Sequence, residues 1–226
     1  MDQILYEIKQ IAIKYAEHLS KVTLFGSRAR GDQTARSDYD IAVYFKNEVT
    51  YEFLEEIDNI DTLLKIDVSV MREGLDALFI DNVKKEERIL FMGKFLYQSM
   101  NYEKAVKRLE ELQSAKNQGI PDDILRDSTI QRFEFTYEMA WKTLKEFLQE
   151  MGLSPTSLPR QVIQLAYQHE VIDNESVWLQ MIKDRNIASH QYNEAEIKAV
   201  YERIQTQYTK EFLSLLDTFK TEGAEL

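Results

Sequence analysis

Two carboxylates two positions apart, Asp38 and Asp40, follow a Gly-Ser turn by a short loop in the stretch GSRARGDQTARSDYD (26–40). The apolar run DIAVYF (40–45) reads as a strand, and side chains two apart on a strand share a face. Paired carboxylates repel unless a cation lies between them, and hard oxygen ligands suit Mg2+. Asp67 opens another apolar run, IDVSVM (66–71), and offers a third carboxylate from a neighbouring strand. Upstream, the short strand KVTLF (21–25) runs into Gly26-Ser27 and a short helix, so backbone N–H groups and the Ser27 hydroxyl stand where a phosphate can be held. A phosphate cradle beside an acidic metal site is equipment for phosphoryl or nucleotidyl transfer, in which metal ions hold the triphosphate and help activate the attacking hydroxyl.

A second set of chemistry-bearing residues is DRNIASHQY (184–192). At helical spacing Arg185, Ser189 and Tyr192 fall on one stripe, and Asn186 and His190 share the adjoining one. Trp178, Ile182 and Arg185 continue one another, so the arginine borders the apolar side of its helix and needs a partner or a polar interface.

The elements that must carry these residues divide the chain in two. Over 1–98 helix and strand alternate: a helix over 2–19, strands at 21–25, 40–45 and 66–71, and helices over Tyr51–Leu64 and 77–91. No strand signal follows Tyr97. Five helices are expected over 99–226, ended by Gly119 and Gly152 or begun by Pro159, with short connections that favour antiparallel neighbours. Phe133, Tyr137, Ala140, Trp141, Leu144 and Leu148 form a core stripe, with Glu134 and Glu138 beside it, one of them within reach of Arg185 across the bundle. The fold class expected is α+β joined to all-α: an α/β domain with a small mixed sheet, then an up-and-down bundle of about five helices.

The totals bound the function. The chain has 226 residues, enough for two cores, and a net charge of −11 spread over both halves, which argues against tight duplex DNA binding. With no cysteine, disulfides and thiolate metal sites are ruled out. The N-terminal stretch lacks the pattern of a signal peptide and no run suffices to span a bilayer, so a cytoplasmic protein without a membrane partner is expected.

The first stretch resembles the G-S-x-A-R-G … S-D-x-D pattern of the nucleotidyltransferase superfamily with the polymerase-β-like fold, and more narrowly the minimal nucleotidyltransferases. Gly26, Ser27, Ala29, Arg30, Gly31, Ser37, Asp38 and Asp40 match, and Asp67 fits the third acid. The resemblance covers 1–98. It implies ATP or another nucleoside triphosphate as co-substrate and two Mg2+ ions on Asp38, Asp40 and Asp67. It also implies nucleotide contacts from Gly26, Ser27, Arg30 and Ser37, and transfer of a nucleoside monophosphate. Arg28 and Arg36 have no role in it.

The second stretch resembles the R-x(4–6)-H motif of HEPN domains, and H-x-Y extends it to the form found in HEPN partners of minimal nucleotidyltransferases. The helix IQRFEFTYEMAWKTLKEFLQEMG (130–152) is similar to that of nucleotidyltransferase substrate-binding proteins, a branch of the same group. The likeness covers about 100–220. It implies either a metal-independent endoribonuclease site of Arg185, Asn186 and His190, assembled where two copies dimerise, or an acceptor role for Tyr192. In toxin–antitoxin pairs of this kind the nucleotidyltransferase adenylylates that tyrosine and silences the nuclease. Those partners are usually separate chains; here both lie in one.

The leading expectation is therefore Mg2+-dependent transfer of AMP from ATP to a hydroxyl, with Tyr192 the acceptor, in a protein that forms a homodimer or higher oligomer through its HEPN half. One alternative gives the same catalyst an external small molecule bound by the helical half, as in antibiotic nucleotidyltransferases. A second makes the chain a HEPN endoribonuclease, acting on RNA and regulated by its first half. A third makes it a non-catalytic nucleotide-binding assembly module, against which the presence of all three aspartates counts.

Overall fold

The order of elements in the computed structural model, which describes residues 2–114, 119–188 and 194–221, begins with helix α1 (Gln3–Lys14), strand β1 (Leu19–Phe25), α2 (Gly26–Arg30) and β2 (Tyr39–Phe45). There follow α3 (Tyr51–Asp58), β3 (Ile66–Val70), α4 (Ala77–Glu86) and β4 (Arg88–Met92). These fall in one compact unit, Met1–Leu96; Tyr97–Leu226 forms a second.

In the first unit the sheet order is β3-β2-β1-β4. β1 is antiparallel to both its neighbours, while β2 and β3 are parallel, joined across α3 as a βαβ unit. β2 is central, and its Ile41, Ala42 and Val43 are fully buried, as an apolar run flanked on both edges requires. Leu5, Ile8 and Ala12 of α1 and Phe53 and Ile57 of α3 complete the core with Leu19, Val22 and Leu24 of β1. Phe53 meets Tyr15 and Phe45 edge to face, each with ring centroids 5.8 Å apart. Phe53→Ala is expected to cost about 3–5 kcal/mol, as truncations of buried aromatics do. The loss is read as a shift of the circular-dichroism unfolding curve to lower denaturant.

Several expected elements are corrected. The helix expected over 77–91 ends at Glu86, and Arg88–Met92 is strand β4. Glu87 turns extended (φ −60, ψ 134) and its carboxylate pairs with Lys21 of β1 at 2.9 Å. Pairing RILFM with β1 satisfies the backbone groups on that strand's second edge, which outweighs the helical periodicity of EERILF. The helices expected over 2–19 and Tyr51–Leu64 are shorter, and the piece KFLY opens helix α5.

The second unit contains α5 from Tyr97 to its end (α5, Lys94–Ser114), α6 (Asp122–Glu150), α7 (Pro159–Gln168), α8 (Glu175–Ala188), α9 (Glu194–Arg203) and α10 (Thr209–Thr221). The last two are not the single helix expected: a π-helical turn, Ile204–Tyr208, lies between them. The α6 stripe is buried as expected at Phe133, Tyr137, Ala140, Leu144 and Leu148, with Trp141 half-buried. Phe133 stacks on Tyr208 (centroids 5.2 Å), Tyr102 of α5 donates its hydroxyl to the Phe212 carbonyl (2.8 Å), and Trp178 of α8 meets Phe212 edge to face. Among the described residues no helix is long and apolar enough to cross a membrane.

Candidate active site

β2 positions the acidic residues. In the sheet register Asp40 is opposite Phe25 on one side and Asp67 on the other. Asp40 and Asp67, partners on adjacent strands, project to one face, and Asp38 stands one residue before β2, near enough for its charge to act on Asp40. Burial pushes the Asp40 carboxyl up from the usual range, and the charges of Asp67 and Asp38 push it further; Arg30 and Lys65 oppose the shift. The structure thus brings Asp38, Asp40 and Asp67 into one electrostatic cluster.

The Gly-Ser turn closes over this cluster. Gly26 has φ +68, and a Cβ placed there would stand 2.3 Å from Asp40 Oδ2. Only glycine lets the backbone approach the carboxylate so closely. The short α2 ends on Gly31 (φ 83), and the Gly31 and Asp32 N–H groups both donate to the Ser27 carbonyl (3.0 and 3.2 Å). The Ser37 hydroxyl accepts from the Thr34 N–H at 2.9 Å, inside the loop that leads to Asp38. Arg30 reaches Asp32 (3.1 Å) and Glu86 (2.6 Å), so its guanidinium is held at the rim of the cluster by two carboxylates.

The donor set fits a hard divalent cation in its chemistry, because every ligand is a carboxylate oxygen and the half-buried one, Asp40, is raised in pKa by burial and by the charges of Asp67 and Asp38. Among the described residues no three carboxylate or imidazole groups stand close enough, as they are turned here, to enclose a metal ion. Asp67 is drawn to Lys65, whose ammonium lies 2.5 Å from Asp67 Oδ1 and is raised in pKa by that bond. Lys65, directly before β3 and two positions before Asp67, is a neighbour of the cluster that the sequence reading did not single out.

Arg28, without a role in the sequence pattern, is the best-held cation of the region. Its Nε and Nη2 donate to the Ser37 carbonyl (3.0 and 2.8 Å), Nε also reaches the Asp38 carbonyl (3.2 Å), and the guanidinium lies 3.9 Å from the centre of the Tyr39 ring.

In the second unit, α8 presents Arg185 and Asn186 exposed near its end. Ser189, His190 and Tyr192 lie outside the described residues, so the proximity of His190 and Tyr192 to Arg185 stays an expectation. Arg185 acts electrostatically on Tyr137 and Glu138 of α6. Burial works against the Glu138 charge, but bonds from Lys142 and Trp141 and the field of Arg185 hold its carboxyl below the usual range. A buried network that the sequence did not reveal lies directly before Arg185. Asp184 is fully buried and receives Arg203 on both oxygens (2.6 and 2.9 Å), the Tyr208 hydroxyl (2.5 Å) and Gln180 (2.9 Å).

A mixed four-stranded sheet with an aspartate cluster under a glycine turn, followed in sequence by an all-helical unit, is the architecture of a polymerase-β-like nucleotidyltransferase domain joined to a helical substrate-binding domain. Residues 6–94 match the family model of polymerase beta nucleotidyltransferases, and residues 97–221 match that of nucleotidyltransferase substrate binding protein like domains. The chain belongs to the latter family, which spans more than half of it, and carries a nucleotidyltransferase domain before it. A relative is the probable ribonuclease HepT of Haemophilus influenzae, 32% identical over 90 residues, which are 38% of this chain and 62% of that protein. The match thus spans less than two thirds of the relative's length. Among solved structures, one from the same species, described as the fold of a substrate binding domain of a nucleotidyltransferase, is 25% identical. It covers 54% of this chain and 98% of its own, with a TM-score of 0.49. The tri-AMPylated HEPN toxin of Shewanella oneidensis, in complex with MNT antitoxin, is 21% identical, with 56% of this chain and 96% of that chain covered and a TM-score of 0.47.

Proposed function

We propose that the first unit transfers AMP from ATP to a hydroxyl, that Asp38, Asp40 and Asp67 hold Mg2+ for this reaction, and that the acceptor is Tyr192 of the helical unit. The observation that carries the reading is the half-buried Asp40 carboxylate, paired across the sheet with Asp67 and within the field of Asp38, beneath a turn where only glycine fits. Bound there, the divalent cations supply neutralisation of the triphosphate and an acidified acceptor hydroxyl. The turn at Gly26 and Ser27 binds the phosphates, and Arg30 and Ser37 border the nucleotide. Asp67 takes the proton of the acceptor hydroxyl as its oxygen bonds to the α-phosphorus and pyrophosphate leaves. Lys65 must release Asp67 for this role. Transfer runs within one chain or between copies of a homodimer in the cytoplasm.

The test is to incubate the full chain with Mg2+ and ATP labelled at the α-phosphate and to map the product by mass spectrometry. The expected result is AMP on Tyr192, absent from Tyr192→Phe. Label that persists in Tyr192→Phe, or that moves only to an added small molecule, refutes the acceptor assignment. A second reading, that the helical unit cleaves RNA, is favoured by the exposed Arg185–Asn186 pair and by the HepT relative's description as a probable ribonuclease. In it Arg185 binds phosphate and His190 exchanges the proton, and AMP on Tyr192 would set a negative charge before Arg185. RNA cleavage lost in His190→Ala and retained in Asp38→Ala would support it.

A further inference from the structure

We propose that Arg28 is a positioning residue that fixes Asp38 for metal binding, through a relay that begins at the N-terminal cap of α1. The inference rests on the reading of Asp38 as a metal ligand. Asp38 stands at the end of a loop, one residue before β2, so the sheet alone does not fix its carboxylate. The Tyr39 and Ser37 N–H groups bond to the Lys65 and Thr34 carbonyls (2.9 and 3.2 Å), and the side chain that holds the carbonyls of this stretch is Arg28. Its side chain is only 11% exposed, and its fork spans the carbonyls of Ser37 and Asp38 while its flat face covers the Tyr39 ring. These contacts hold the residues on both sides of Asp38 as well as its own carbonyl.

The arginine is itself held. Asp2 Oδ2 accepts the Tyr39 hydroxyl at 2.8 Å and lies 3.9 Å from Arg28 Nη1. Asp2 Oδ1 caps α1, accepting from the Ile4 and Leu5 N–H groups at 3.1 and 3.2 Å. Asp2, Tyr39 and Arg28 thus tie the start of α1 to the loop that presents Asp38. A lysine has one compact ammonium and no plane, so it could bond one carbonyl or lie over the ring but not span both carbonyls while stacking. The charge is also suited to the place: a cation drawn against backbone carbonyls neutralises none of the ligand carboxylates, leaving their charge for the metal.

The experiment is a titration of the full chain with Mn2+, followed by the electron paramagnetic resonance of the free ion, with melting temperatures taken in chelator and in Mn2+. Wild type, Asp38→Asn, Arg28→Lys and Tyr39→Phe are compared. Arg28→Lys is expected to raise the Mn2+ dissociation constant about tenfold, the scale on which residues behind metal ligands act. Its melting temperature in chelator should change less than the Mn2+-induced rise does. Tyr39→Phe, which keeps the ring and loses only the bond to Asp2, should weaken Mn2+ in the same direction by a smaller factor. Equal binding by wild type, Arg28→Lys and Tyr39→Phe, with Asp38→Asn weakened, overturns the positioning role and leaves the metal site standing. If Arg28→Lys fails to fold, wild-type binding by Tyr39→Phe still overturns the relay. Absence of Mn2+ binding by wild type, or its persistence in Asp38→Asn, removes the metal site and the inference with it.

Discussion

Asp40→Asn is expected to lower nucleotidyl transfer by about a thousandfold or more, the scale of losing a catalytic carboxylate, and at the same time to raise the melting temperature of the metal-free protein. The two effects have one cause. Asp40 is fixed between β1 and β3, where burial disfavours its charge and Asp67 and Asp38 repel it. Asparagine keeps the shape and removes the charge. The sign with pH follows from the raised pKa of Asp40 in the folded protein. Between its ordinary value and that raised value the folded chain holds more protons than the unfolded one, so metal-free stability falls as pH rises through this window. Below the window Asp40 is protonated in both states, and the gain from Asp40→Asn should shrink. Calorimetry in chelator across the acid range measures the difference; a melting temperature lowered by Asp40→Asn at neutral pH would contradict the strained cluster.

Gly26→Ala separates geometry from charge at the same place. It leaves every carboxylate present, but its Cβ falls 2.3 Å from Asp40 Oδ2 on a backbone with φ +68. Transfer and metal-free stability should therefore fall together, where Asp40→Asn divides them.

What could be read beforehand follows the range of the interactions. The strand that carries Asp40 was legible because a period of two is local, and the turn at Gly26 because a glycine after an apolar strand is a local signal. Asp67 needed only a second strand start. Arg28 was illegible because its targets are backbone carbonyls of Ser37 and Asp38, which carry no side-chain signature. β4 was read as helix because RILFM prolongs the α4 periodicity; what makes it a strand is the open edge of β1, far away in sequence. The DRNIASHQY stretch was legible as a motif, yet its first residue, Asp184, finds its partners at Arg203 and Tyr208. On an α-helix residues five apart point about 140° away from each other. The π turn over Ile204–Tyr208 stacks i on i+5 and so turns both toward Asp184, and nothing in IQTQY announces it.

That network sets the second large effect. Arg203→Met should destabilise the helical unit by about 3–5 kcal/mol, because it leaves a fully buried carboxylate without its cation. Tyr208 and Gln180 still donate to Asp184, but neither supplies a charge. Asp184→Asn alone should cost less: Arg203 is 29% exposed and can turn toward water, while the amide still accepts from Tyr208. The double variant should lose well less than the sum of the two single losses, since the unpaired charge that dominates Arg203→Met is then gone. Urea unfolding followed by Trp178, buried on the same helix as Asp184, measures each corner of the cycle. Additive losses would mean that the pair is not coupled in solution. A coupled pair makes a further point about the site. Asp184 is buried and Arg185 exposed on consecutive positions of α8, so the bond that draws Asp184 inward also fixes the rotation of the helix that turns Arg185 and Asn186 outward. Arg203→Met at a temperature where the unit is still folded should then loosen the Arg185 face, read as faster amide exchange over the last turn of α8.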